Sequence, residues 1–297
     1  MSGTSFRIVV RWAVIIVAAL LFLAVVGFRG WRKHTFLDFR IPEAIQVDDS
    51  TYSFRDVTAM MHLLVGKDTA LVIDTGFGLV NLKEAVNQLT DKPVKVINTH
   101  GHFDHTHGNW QFGGAMVSYK DLETISRHDD AAYLYDNFLG NPFMKLLLGK
   151  KTVDRVCYQP KAEYRPLPES MTLDLGGGRI IRLYEIPGHT PGSIALLDVR
   201  YHRLYTGDMF CSGGVLLQLP ESTDVETYLQ SVRYTRQICQ ENGVKEIFPS
   251  HPECPLAVSV LDDFEAAALR YLHNERSKKE IDNKTSIVGR AQLNVRD

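Results

Sequence analysis

Cysteine is scarce in this chain. Four residues, Cys157, Cys211, Cys239 and Cys254, are scattered through 297 positions with no C-x-x-C pair, which excludes a cysteine zinc site and a disulfide framework. Charge of one sign is lacking too. The formal net charge is -2, so there is neither a basic footprint for nucleic acid nor an acidic solvating tail, and no nucleic-acid partner is expected. No G-x-S-x-G nucleophile elbow occurs, which removes the commonest serine-hydrolase signature. No internal repeat is visible. The 44% hydrophobic content is that of a globular chain able to bury a sizeable core.

Long apolar runs are also lacking, with one exception. Trp12 to Phe28 (WAVIIVAALLFLAVVGF) carries no charge. At about 1.5 Å per helical residue it nearly spans a bilayer core. Starting at Ile8 lengthens the run if Arg11 snorkels to the interface. Arg7 and Arg11 flank it on one side and Arg29, Arg32 and Lys33 on the other, with Trp12 and Trp31 at interfacial positions. A cleaved signal peptide is the alternative, but no A-x-A site follows and the run is long for one. The expectation is an uncleaved single-pass membrane anchor over residues 1–30, engaging the membrane through 8–28, with the side of the membrane undetermined. A linker over 31–45, closed by Pro42, then leads to one domain over 46–297.

Within that domain strands and helices alternate. AMMHLLVG and ALVIDTG read as strands around Gly66-Lys67-Asp68. The spacing of Leu79, Leu82, Val86 and Leu89 predicts a helix, and VKVIN a buried strand. AMVSY is a further strand, followed by a helix near Lys120 to Arg127. RIIRLYEI, SIALLDV and RLYTG are strands, the last two as a hairpin. Thr223 to Gly243 predicts a helix capped by Thr223, VKEIFPSH a strand, and PLAVSVLDDFEAAALRYLHNE a helix with Pro255 near its start. Residues 130–150, greasy and broken by Gly140 and Pro142, fit two short core helices, or a lid or wall beside a site for an apolar substrate portion.

The chemistry collects where strands end. NTHGHFDHTHGNW holds H-x-H-x-D-H at His100, His102, Asp104 and His105. In an extended segment His100 and His102 project to one side, and a turn into the next helix swings Asp104 and His105 to an adjacent position, so one loop can serve two neighbouring metals. His189 lies in the tight turn EIPGHTPGS, Asp208 follows a glycine in YTGDMF, and His251 ends a strand in FPSHPE. Each alone is weak. Together, and in this order, they form a pattern.

That pattern, from Ala59 to His251, resembles the metallo-β-lactamase-fold superfamily of metallohydrolases, in its glyoxalase II/lactonase-like branch. The resemblance implies an α+β fold, an αββα sandwich of two mixed sheets flanked by helices with the metals at one sheet edge. It implies that His100, His102 and His189 hold one ion, that Asp104, His105 and His251 hold a second, and that Asp208 bridges them. Asp74 of LVIDTG would orient a ligand histidine. His107 falls outside the ligand pattern, and His62, His128 and His202 have no partner motif. Two zinc ions are the expected cofactors, with iron or manganese also compatible with these donors. Paired ions make hydroxide available near neutral pH. The expected activity is therefore hydrolysis of an ester-type bond by a metal-bridging hydroxide, with Asp104 and Asp208 as catalytic groups.

The bridging Asp208 argues against a β-lactamase, and the absence of a basic surface against a phosphodiesterase. Lactonases of this kind often carry tyrosine three residues after the bridging Asp, where this chain has Cys211. Arg270, Arg276, Lys278 and Lys279 are candidates for the basic groups of glutathione-thioester hydrolases, or a solvated helix face. Thioester or lactone hydrolysis on a small, acyl-bearing substrate is the preferred expectation. A non-catalytic metal-bound sensor or scaffold is the alternative from a different class, and a β-lactam or phosphodiester hydrolase of the same fold is the alternative within it.

Overall fold

The structure is a computed structural model, and it describes residues 39–140, 142, 150–168, 170–251 and 253–296. The expected anchor, the linker as far as residue 38, and residues 141 and 143–149 of the greasy segment lie outside the described residues. Among the described residues no helix is long and apolar enough to cross a membrane.

Two mixed sheets stack face to face. The first has seven strands in sequence order: β1 Ile45–Asp48, β2 Thr51–Asp56, β3 Ala59–Val65, β4 Ala70–Ile73, β5 Val94–Ile97, β6 Gly114–Val117 and β7 Glu163–Pro166. Its first four strands are antiparallel, and β4 to β7 run parallel. The second sheet comes from β8 Thr172–Asp174, β9 Ile180–Glu185, β10 Ile194–Asp198, β11 Arg203–Gly207, β13 Glu246–Pro249 and β14 Leu256–Ala257. A small third sheet joins β12 Val215–Leu216 to β16 Ala291–Asn294 and β15 Thr285–Val288. The helices are α1 Leu82–Asn87, α2 Phe103–Thr106, α3 Leu122–His128, α4 Ala131–Leu134, α5 Lys150–Cys157, α6 Val225–Asn242, α7 Val260–Leu272 and α8 Lys278–Asp282.

The period of two along the strands builds the layers. Leu64, Leu71, Ile73 and Ile97 face Ile181, Leu183, Leu196 and Phe248 across the gap between the two main sheets. Leu63, Ala70, Val72 and Val96 point the other way, onto Leu82, Ala85 and Val86 of α1. The outer side of the second sheet is covered by Tyr228 and Val232 of α6 and Phe264 and Ala268 of α7. The layers are therefore αββα, as expected.

Several boundaries differ from the expectation. Ile45 already belongs to β1, and Phe39 stacks on Trp110 at 5.8 Å, so the end of the expected linker is docked on the domain. α1 starts at Leu82, because Asn81 caps it and Asp56 fixes the Leu79 amide outside it; Leu79 is buried by tertiary packing. Asp224, and not Thr223, caps α6, while the Thr223 hydroxyl donates to the Gly188 carbonyl. Gly243 closes α6 in the left-handed conformation, as its position predicts. Pro255 precedes the short strand β14, and α7 begins only at Val260. In the greasy segment both readings hold in part. Leu134 and Leu139 are core, whereas Tyr133 and Phe138 face a cleft.

Candidate metal centre

β9, β11 and β13 run in the same direction, so their C-terminal ends finish at one edge of the second sheet. The parallel strands β4 and β5 finish beside them, joined by backbone bonds from the Ile194 amide to the Thr99 carbonyl and from the Met60 amide to the Ser250 carbonyl. Every residue of the sequence pattern follows one of these ends. Close approach makes two glycines obligatory. Gly207 has φ +55° and a Cβ there would lie 2.6 Å from the Thr99 hydroxyl, so only glycine can deliver Asp208 in this way. A Cβ on Gly192 would lie 2.5 Å from the Asp121 carboxyl carbon.

The side chains form two adjoining groups. In the first, His102 Nδ1 lies 3.1 Å from His100 Nε2 and 2.8 Å from His189 Nε2. In the second, Asp104, His105, Asp208 and His251 converge. Asp208 touches both: Oδ2 is 3.6 Å from His189 Nε2 and 3.1 Å from His251 Nε2, and Oδ1 is 3.3 Å from His105 Nε2. Each of the five imidazoles is held through its other nitrogen. His105 Nδ1 bonds to Asp74 (2.9 Å), His102 Nε2 to Glu221 (2.8 Å), His189 Nδ1 to the Leu216 carbonyl (2.9 Å), His251 Nδ1 to the Thr58 carbonyl (3.2 Å) and His100 Nδ1 to the Thr99 hydroxyl (3.1 Å). The nitrogens left over all point inward. His105 Nε2 is buried and makes no well-aligned hydrogen bond, with Asp208 and Asp104 oxygens 3.3 and 3.5 Å away, an arrangement of converging donor atoms that suits a cation between them. The donor set thus fits two divalent cations, three imidazoles in one group and two imidazoles with carboxylates in the other.

The two groups differ electrostatically. Burial holds His100 well below the usual histidine range and His189 at about 4, so both are neutral at pH 7. In the second group burial opposes charge, but Asp208 and Asp104 outweigh it and raise His251 to about 10; Asp104, Asp208 and Asp74 raise His105 likewise. The same pairs override burial in keeping Asp104 and Asp208 well below the carboxylate range.

Some participants were not expected. Asp121 accepts from the Gly101 amide (2.8 Å), the Gly192 amide (2.7 Å) and the Thr190 hydroxyl (2.7 Å), tying the His100–His105 loop to the His189 loop. Ser250 donates to Asp74 at 3.1 Å. His128, which no motif singles out, stacks on His102 with centroids 5.2 Å apart and lines the cleft. His107 stays outside both groups, buried below α2. His62 is packed between Ser53 and Tyr205, and His202 bonds the Asn242 carbonyl at the end of α6. All four cysteines are free.

A cleft of roughly 440 Å³ opens over the two groups. That volume is within the range of about 300–1,000 Å³ usual for small-molecule sites. Phe103, Tyr133, Phe138, Leu216, Leu219 and Pro220 supply an apolar wall, with Phe103 and Phe138 rings 4.6 Å apart. No lysine or arginine is among the described residues lining it. Arg270 instead pairs with Glu280, Arg276 stacks on Tyr271, and Lys278 and Lys279 sit on α8; none of them lines the cleft.

Fold and sequence agree on the class. Residues 56–251, more than half of the chain, match the Metallo-beta-lactamase superfamily, and the protein belongs to it. It is 28% identical over 205 residues to an acyl-coenzyme A thioesterase, MBLAC2, of Gallus gallus, a match covering 65% of this chain and 72% of that protein. It is 25% identical over 167 residues to the hydroxyacylglutathione hydrolase GloC of Haemophilus influenzae, covering 55% of this chain and 72% of that one. The fold is similar to that of a metallo-beta-lactamase from Pontibacter korlensis (TM-score 0.51, 16% identity, 77% of this chain and 99% of that one).

Proposed function

We propose that the protein is a two-zinc hydrolase of acyl thioesters, with His100, His102 and His189 holding one ion, Asp104, His105 and His251 the other, and Asp208 shared. The observation that carries this reading is the apolar wall standing directly over the two donor groups. The thioester hydrolases among the relatives support thioester over lactone, as does Cys211 at the position where lactonases carry tyrosine. When bound, the ions supply Lewis-acid charge and lower the pKa of water. The chain's own residues do the rest. Phe103, Tyr133 and Phe138 hold the acyl chain and exclude bulk water. Asp104, ionised and at the cleft floor, takes the proton of the attacking water and delivers it to the departing sulfur. Water is thereby added across the C–S bond, giving an acid and a thiol. Residues 8–28 would anchor the chain in the membrane, near acyl substrates; release of the full chain by carbonate washing would refute that anchor.

The deciding experiment is metal analysis of the purified protein with a screen of thioesters, lactones, β-lactams and phosphodiesters. Thioester turnover lost with a chelator and restored by zinc is the expected result. Two bound ions with no turnover of any class would favour the sensor reading instead.

The wall predicts a chain-length effect. Phe138→Ala raises KM for long-chain acyl thioesters by about tenfold or more, through lost apolar contact. Short-chain substrates should change little. Equal losses on both would overturn the assigned wall.

The charge asymmetry predicts proton release. At pH 7 His100 and His189 of the first group are already neutral, whereas the second group must expel protons from His105 and His251 to bind an ion. Affinity of the second group therefore falls as pH falls, while His100 and His189 add no such dependence near pH 7. Calorimetry in buffers of different protonation heat reads this directly; equal proton release for the two ions would contradict it.

A further inference from the structure

His105 and His102 are each held by a carboxylate, one in each donor group. Asp74, which the resemblance implies would orient a ligand histidine, holds His105. The carboxylate on His102 comes from Glu221, 119 residues away in a loop that no motif marks. For His102 Nδ1 to serve the same ion as His100 Nε2 and His189 Nε2, its lone pair points toward them. The ring proton then sits on Nε2 and is donated to Glu221 Oε1 at 2.8 Å. Arg127 donates to the other oxygen, Oε2, also at 2.8 Å. The Glu221 side chain is 9% exposed and the Arg127 side chain 32%, so the carboxylate is largely enclosed between His102 and a partly exposed guanidinium. On its far face His102 is backed by His128, whose Nδ1 accepts the Phe103 amide at 3.2 Å and whose ring stacks in turn on Tyr133.

We infer that Glu221, clamped by Arg127, is a positioning residue that fixes the tautomer and ring plane of His102 for the first metal ion. Donor atoms of His102, His128 and Glu221 also lie within 4.8 Å of one another, the composition of a third metal site. Arg127 decides against that alternative, since its guanidinium already neutralises Glu221, and the Phe103 amide already occupies His128 Nδ1. The same loop supplies Leu219 and Pro220 to the cleft wall, so one segment shapes both the ligand and the substrate surface.

This inference rests on the metal-centre reading, but fails separately from it. The test uses the full chain, with cobalt(II) as a spectroscopic substitute and chelator competition to read each site. Glu221→Ala weakens the first ion by about 10–100-fold and shifts its cobalt absorption, leaving the second ion's affinity unchanged. Glu221→Gln, which keeps an acceptor oxygen, restores most of the affinity. Unchanged affinity and spectrum in a folded Glu221→Ala chain would overturn the inference, as would three ions bound per parent chain. If Glu221→Ala does not fold, nitrogen-15 NMR of the parent decides: a proton on His102 Nε2 supports the assignment and one on Nδ1 refutes it. If the parent holds no ions in these groups, it is the metal-centre reading that fails.

Discussion

An Asp208→Ala chain is expected to fold, to hold less than its full complement of metal after dialysis, and to lose thioester hydrolysis. Asp208 is the side chain that reaches both donor groups, at 3.6 Å from His189 and 3.1 Å from His251. It is approached through Gly207, whose left-handed backbone leaves no freedom to substitute another carboxylate from this strand end. Losing the shared ligand removes several kcal/mol of transition-state charge stabilisation, and at about 1.4 kcal/mol per decade kcat/KM falls by roughly a thousandfold or more. Asp208→Asn separates charge from shape. The amide fits the same space but brings no charge, so a comparable loss is expected. Metal content by elemental analysis, kcat/KM and circular dichroism on the three chains measure this. Parent-level turnover with two ions still bound in Asp208→Ala would end the two-metal reading, and with it the role given to the whole HGHFDH loop.

The residues of the two donor groups were legible in the sequence because each is local to a strand end. The topology then brings β4, β5, β9, β11 and β13 to one edge, so five short motifs become one site. The layers followed from the family resemblance, and the near-continuous apolar runs of β3, β4 and β10 agree with strands covered on both faces. What was not legible has a common cause. Glu221 and Asp121 act on partners far along the chain, and Asp121 acts mostly on backbone amides, which have no residue identity to read. His128 gained its place only from the stacking of α3 beside the ligand loop. Leu79 carried helical spacing but is buried by tertiary contact outside the helix. Thr223 and Asp224 are both good caps, and the Gly188 carbonyl settled between them by taking the threonine hydroxyl. The hairpin of β15 and β16 follows no turn signal strong enough to separate it from the helices before it.

Asp74→Ala should cost stability and metal together. The carboxylate is fully enclosed, and it gathers four donors from three segments: the Thr99 amide on Oδ1, and the Thr99 hydroxyl, His105 Nδ1 and Ser250 hydroxyl on Oδ2. Removing it strands buried donors at about 1–3 kcal/mol each, only partly relieved by rearrangement, so a net loss of about 4 kcal/mol is expected. In a domain of this size that lowers the melting midpoint by roughly 10 °C. Asp74 also has φ +58°, where aspartate and asparagine are tolerated better than alanine. Asp74→Asn therefore keeps the backbone but not the bonds. If its amide oxygen replaces Oδ2, its NH2 is driven against the Thr99 amide; if it is flipped, the NH2 faces three donors. The asparagine chain should lie between parent and alanine in melting, while both variants weaken the second ion, held by His105, by about 10–100-fold. The first ion, held through His102 and Glu221, should keep its affinity. A melting midpoint and second-site affinity equal to the parent's in Asp74→Ala would show that His105 is held by the packing around it and not by this carboxylate.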